Sequence, residues 1–131
     1  MRRLAVAATA LLMVVSCGER PVADDPGLHG DIVNNHDGAE VTFDATLIDN
    51  PVESGGHERF EVKSRTGEML EVDHNTTLAA FVPAHAGDAL VIHGRLYIDP
   101  GPRVGVHCTH ATTSSGCPDS GWIFFNNNYY E

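Results

Sequence analysis

The sequence predicts an all-β fold with one short helix, arranged as a five-stranded OB-fold-like barrel. Three observations predict it. Apolar and polar residues alternate in five separate stretches, the period-two pattern of strands buried on one face. A single segment that does not alternate, Thr76-Thr77-Leu78-Ala79-Ala80-Phe81-Val82, falls between the third and fourth stretches. Clusters of Gly, Pro, Asn and Asp mark the intervals as turns. Strand–strand–strand–helix–strand–strand is the order of the OB barrel, a small Greek-key fold.

Val41, Phe43, Ala45 and Leu47 alternate with Thr42, Asp44 and Thr46 to give the first strand. Asp49-Asn50-Pro51 and Ser54-Gly55-Gly56 form a loop. Phe60 and Val62 then alternate with Arg59, Glu61 and Lys63. After the Thr66-Gly67 turn, Leu70 and Val72 alternate with Met69, Glu71 and Asp73, so strands two and three read as a hairpin. Asn75 or Thr76 is placed to cap the short helix, and Pro83 ends it. Beyond the Gly87-Asp88 turn, Leu90, Ile92, Gly94, Leu96 and Ile98 make a long fourth strand, with Gly94 suggesting a bend or bulge. Asp99-Pro100-Gly101-Pro102 connects tightly to a fifth, in which Val104, Val106 and Cys108 alternate with Gly105, His107 and Thr109. The closing Trp122-Ile123-Phe124-Phe125 is expected to plug or extend the barrel. No internal repeat is present.

Residues 1–16 read as a lipoprotein signal peptide. Met1-Arg2-Arg3 is a basic start, an apolar run of twelve residues follows, and Val14-Val15-Ser16-Cys17 puts a cysteine directly after a small residue. The run is shorter than the ~20 residues of a membrane-spanning helix. Cys17 is the expected lipidation residue. The alternative is an ordinary secretory signal, cleaved near Ala7-Ala8-Thr9-Ala10 or after Ser16. Gly18, rather than Asp, follows the cysteine; by resemblance to enterobacterial lipoproteins this points to the outer membrane, facing the periplasm. Residues 17–38, rich in Asp, Asn, Gly and Pro, are expected to form a flexible tether, and residues 39–131 the domain. Removing Arg2 and Arg3 leaves six cationic residues against eighteen acidic ones, a net charge of −12. Such a surface repels phosphate backbones and argues against nucleic acid as a partner. It also leaves membrane contact to the lipid alone.

Cys108 and Cys117 remain. In an exported chain a disulfide between them is the first expectation, closing a ten-residue loop that stabilises by roughly 2–3 kcal/mol. A thiolate metal site with nearby histidines is the competing reading. Eight histidines are present. The strand two–three face and the loops joining strands one–two and four–five are the usual binding surface of an OB barrel. His57, Arg59, His74, Asn75, His107 and His110 are the candidate ligand-binding residues there. His74 shares the parity of Leu70 and Val72 and is expected to face inward. Three imidazoles on one rim would suit zinc, but His107 and His110 differ by three and point to opposite faces of a regular strand. Hydrogen-bonded residues shaping the loops are the plainer alternative. Tyr97, Trp122, Tyr129 and Tyr130 are available to stack on a ligand or to pack. There is no Gly-x-Ser-x-Gly elbow, no His-Glu-x-x-His motif and no Gly-rich phosphate loop.

From His57 onward the chain resembles a family of small exported bacterial proteins catalogued as domain of unknown function 3465. The shared stretches are His57-Glu58-Arg59-Phe60, His74-Asn75 with Leu78-Ala79, Gly87-Asp88, His107-Cys108-Thr109-His110, Gly121-Trp122-Ile123 and Tyr130. The sequence departs from the family pattern at Cys108, usually tryptophan, and near Cys117, usually histidine. A local disulfide in place of a side-chain packing pair fits both changes. Ala111 stands where the family often has another histidine. The family has no assigned activity, so the resemblance implies export and fold, not a reaction.

These readings lead to a lipid-anchored envelope protein carrying a non-catalytic ligand- or protein-binding module, with no cofactor expected. The alternative is a metal-dependent hydrolase using His57, His74, His107 and His110. A third is a structural partner in an envelope complex.

Overall fold

Alternation along the chain becomes alternation of burial. In the computed structural model, which describes residues 19–101 and 103–131, Val41, Phe43, Ala45 and Leu47 of strand β1 (Glu40–Leu47) are all buried, while the residues between them are exposed or half-buried. The signal peptide and Cys17 lie outside the described residues. The remaining elements are a helix α1 (Asp25–Val33), β2 (Val52–Ser54), β3 (His57–Ser64), β4 (Met69–Asn75), β5 (Ala89–Asp99), β6 (Arg103–His107), β7 (Trp122–Phe125) and β8 (Asn128–Tyr130).

Five of these strands close on themselves. β1 pairs with β3, β3 with β4, β4 with β6, β6 with β5, and β5 returns to β1. The β4–β6 pairing is parallel, with Glu71 opposite Gly105 and Val72 opposite Val106. The other pairings are antiparallel. This is the OB barrel expected from the sequence. β2 forms a hairpin with β3 inside the loop expected around residues 49–56. β7 pairs with the far side of β5 and β8 with β7, so the C-terminal apolar piece extends the sheet. The interior holds Phe43, Phe60, Leu70, Leu90, Ile92, Leu96 and Ile123, each almost wholly removed from solvent.

Gly94 is not a bulge. The β1–β5 register runs through it without interruption, with Val41 as its partner. A Cβ at this position would lie 2.5 Å from the His107 carbonyl oxygen and 2.7 Å from Val106 Cγ1. Glycine is required because the end of β6 crosses there at backbone distance.

The structure corrects two further sequence expectations. The first concerns residues 76–82, which do not form a helix. Asn75 Oδ1 accepts hydrogen bonds from Thr77 N (3.0 Å) and Thr77 Oγ1 (2.6 Å). That makes one turn, in which Ala79 N donates to Asn75 O. The chain then continues as an extended strap that buries Val82 and Ala84 in the core. A seven-residue helix is marginal on its own. Here its backbone finds better partners. The His74 ring donates from Nε2 to Ala80 O at 2.9 Å, and Val82 N donates to Glu58 Oε1 at 3.0 Å.

The second correction concerns the tether expected through residue 38. Residues 25–33 of it form α1. Asp24 caps the helix by accepting from Gly27 N at 3.0 Å. β1 pairs with β3 only from Ala45 onward, leaving the earlier edge of β1 open. The N-terminal segment fills that edge. Asp24 N donates to Thr42 O. The Asp25 carboxylate, 4% exposed, accepts from Asp44 N (3.1 Å) and Arg65 N (3.0 Å). Leu28, fully buried, enters the core. The segment lacks a periodic apolar pattern because one leucine and one buried carboxylate suffice to hold it.

Replacing Leu28 with alanine is therefore expected to destabilise the barrel by about 2–5 kcal/mol, the range for a buried leucine. Denaturant unfolding of the full chain measures this. A loss well below 1 kcal/mol would show that α1 is not part of the cooperative unit.

Candidate functional site

Strand parity places a polar network on the outside of the barrel, across β3, β4, β6 and β5. Tyr97 of β5 lies opposite Gly105 of β6. Its hydroxyl sits 2.9 Å from Glu71 Oε2 and 2.9 Å from Asp73 Oδ2 on β4. The ring reaches them by crossing Gly105, where a Cβ would be 2.1 Å from the tyrosine Cζ and hydroxyl oxygen. Arg59 of β3 brings Nε to 2.8 Å from Glu71 Oε1 and 3.5 Å from Asp73 Oδ1. Arg103 of β6 pairs with the other oxygen of Glu71. His107 packs edge-on against Tyr97, ring centroids 5.7 Å apart.

These groups border a cleft of about 290 Å³ lined by Ser54, His57, Arg59, Asp73, Tyr97, Arg103 and His107. It lies on the surface OB barrels use for ligands. A cleft of about 240 Å³ beside Arg20, Asp44, Lys63 and Arg65 has neither a histidine nor an aromatic group in its lining.

The electrostatics of the network are settled by its own bonds. Burial, and then hydrogen bonds to two carboxylates, push the Tyr97 hydroxyl far above its ordinary pKa, so it stays a phenol. Burial alone would raise Glu71. Hydrogen bonds from Arg103 and Tyr97 outweigh it and hold the carboxyl below its ordinary value. Burial lowers His107, and Arg95 adds to that, so the ring is neutral at neutral pH.

Of the six candidate residues read from the sequence, the cleft brings together His57, Arg59 and His107. His74, Asn75 and His110 serve elsewhere. His74 faces inward as expected and is fully buried. Its Nε2 holds the strap at Ala80, and its Nδ1 accepts from Thr109 Oγ1 at 2.8 Å. Burial depresses its pKa, partly offset by the Ala80 bond. Asn75 organises the Thr77 turn. His110 is buried with no partner at Nδ1 among the described residues. Both ring nitrogens of His74 are thus occupied, and among the described residues the close group of potential metal-ligand atoms is His107, Cys108 and Cys117 rather than the four histidines.

Sequence reasoning named Tyr97 only as a stacking aromatic and passed over Ser54, Glu71 and Arg103 as site residues. One signal was available. The short Asp99–Arg103 connection sets the β5–β6 register, and a glycine facing a tyrosine across a hairpin marks a ring that lies over its neighbour strand. Trp122 and Tyr129 do not join the cleft. Trp122 stacks on His93 at 5.5 Å, and Tyr129 stands edge-on to Trp122 and Phe124.

Cys108 and Cys117 form the expected disulfide, with Cα atoms 5.4 Å apart.

Two outcomes follow from this geometry. Gly105→Ala should displace the Tyr97 ring and cost about 1–3 kcal/mol, as overpacking does. In a Tyr97→Ala background, which lacks the ring that collides, the cost should be smaller; an equal cost in both would place the strain elsewhere. The second outcome concerns pH. His74 has a lower pKa folded than unfolded, so below about 6.5 the unfolded chain binds the extra proton and stability falls as pH falls, by at most about 1.4 kcal/mol per pH unit. His74→Gln keeps a donor for Ala80 and removes that share. Its denaturation midpoint should therefore fall less steeply than the native protein's on acidification from pH 7, and parallel curves would refute the assignment. Comparisons of this chain with protein-family models, with curated proteins and with solved structures find no match.

Proposed function

We propose that this protein is a lipid-anchored cell-envelope protein whose OB barrel is a non-catalytic binding module, taking a small polar ligand in the cleft between Arg59, Tyr97, Arg103 and His107. The observation that carries the reading is the character of the cleft. Two guanidinium groups, 46% and 55% exposed, stand over a carboxylate that is only 9% exposed. They are held in place by it while keeping outward donors free for a ligand. Asp73 and the edge-on Tyr97–His107 pair add an acceptor and aromatic surface. General acid–base catalysis uses groups poised near the working pH. Tyr97 is held protonated and Glu71 ionised across the neutral range, which favours binding over proton transfer.

The anchor at Cys17 and an outer-membrane position facing the periplasm rest on the N-terminal sequence. The disulfide supports an oxidising compartment. The resemblance read from the sequence to the exported family of domain of unknown function 3465 points to the same address. The acidic balance of the chain, −10 in full, argues for a partner other than nucleic acid.

The test uses the full chain carrying Cys17→Ser, which the anchor reading expects in the soluble fraction rather than on membranes. This protein is titrated with small sugars and small carboxylic acids and followed by NMR. Binders should perturb Arg59, Tyr97, Arg103 and His107. An Arg59→Ala, Arg103→Ala double variant should lose about tenfold or more in affinity, as expected for hydrogen bonds to charged groups. Binders that perturb only other surfaces, or that bind the double variant equally well, would refute the site. Membrane retention of Cys17→Ser would refute the anchor.

A further inference from the structure

His107, Cys108 and Cys117 each offer one potential metal-ligand atom, and the three atoms lie within 4.8 Å of one another. Consecutive strand residues face opposite ways, so a pattern reading separates His107 from Cys108. The structure joins them because β6 ends at His107 and Cys108 adopts a φ of 58°. The chain turns there and delivers both side chains to one place. Cys117 arrives by an independent turn. Ser114 N donates to Cys117 O (2.8 Å), and Cys117 N donates to Ser114 O (3.2 Å) and Ser114 Oγ (3.1 Å). The far side of the loop is tied by Gly121 N to His110 O and by Ser120 Oγ to Ala111 O, both 2.8 Å. None of these bonds involves sulfur. Opening the disulfide therefore breaks none of them.

In the oxidised protein both sulfurs are committed to the disulfide. We propose that reduction of Cys108–Cys117 converts this cluster into a binding site for a thiophilic divalent cation of the zinc class, held by one His107 ring nitrogen and the two cysteine sulfurs. The steps balance. A dithiol reductant gives two electrons and two protons to the protein disulfide, becomes a disulfide itself, and leaves two protein thiols. The cation then binds the two thiolates and releases both protons to solvent. Attack enters at Cys117, which is partly exposed, because Cys108 is 3% exposed. Two sulfurs and one imidazole form a donor set that zinc accepts with a fourth position open. His107 also lines the ligand cleft, so the cation would stand beside it. The disulfide and the metal site use the same sulfurs and exclude each other. This inference goes beyond the binding reading and does not depend on it.

The experiment uses the full chain carrying Cys17→Ser, so that no third thiol contributes. The protein is reduced anaerobically with a phosphine and titrated with cobalt(II). A single equivalent should produce sulfur-to-cobalt charge-transfer absorption and tetrahedral visible bands. Zinc should displace it, and the oxidised protein should show neither signal. Cys117→Ser should abolish the charge-transfer band. His107→Ala should weaken binding by at least about tenfold, the lower bound for losing even an outer-shell partner of a metal ligand. Absence of the band in reduced protein that keeps its β-type circular dichroism would overturn the proposal, and so would unchanged affinity in His107→Ala. If reduction unfolds the barrel, failure of cobalt to restore the β spectrum overturns it equally.

Discussion

Seven consecutive cross-strand pairs between β1 and β5, from Glu40 opposite Arg95 to Thr46 opposite Ala89, turn a curled sheet into a closed barrel. Closure removes the sheet's own edges as a liability and gives every inward side chain of five strands a common interior. It also joins segments some fifty residues apart, so it forms only when the β3–β4 hairpin and the β5–β6 hairpin are both in register. What remains open is a consequence of how it closes. β1 is shared between β5 along most of its length and β3 over its last three residues, and the unshared edge is where the N-terminal segment docks.

Buried polar side chains hold the non-strand segments. Asp25 joins α1 to β1 and to the β3–β4 turn. At the open end of the same hairpin, His74 and Glu58 hold the strap through Ala80 and Val82. Each satisfies backbone groups of the segment it holds, and the buried Val82 N–H would cost about 1–3 kcal/mol if left without a partner. Burial raises the pKa of Glu58 and lowers that of His74, and the backbone bonds to Val82 and Ala80 oppose it at each site.

The outer cleft follows a different rule. Its groups are mutually bonded at the surface, and Glu71 is held as a carboxylate. Tyr97 reaches Glu71 and Asp73 only because β6 carries no side chain at Gly105. The two arginines fix the carboxylates and are fixed by them. His107 belongs both to this cleft and to the cluster it forms with Cys108 and Cys117.

The sequence by itself determined the five barrel strands, their order along the chain and the inward parity of His74, and made a Cys108–Cys117 disulfide the first expectation. All of these follow from period-two alternation, turn residues and cysteine count, which are local signals. Only the tertiary structure decided the rest. Residues 76–82 look helical by composition, yet His74 and Glu58 outcompete a helix too short to persist. Residues 24–38 look like a linker, yet one leucine and one aspartate bind them to the open edge of β1. The cleft gathers Arg59, Asp73, Tyr97, Arg103 and His107 from four strands. Their meeting depends on a parallel β4–β6 pairing and on the β5–β6 register. Local patterning gives the face a residue occupies on its own strand. Which residues share that face across the barrel is set by closure, a contact between distant parts of the chain.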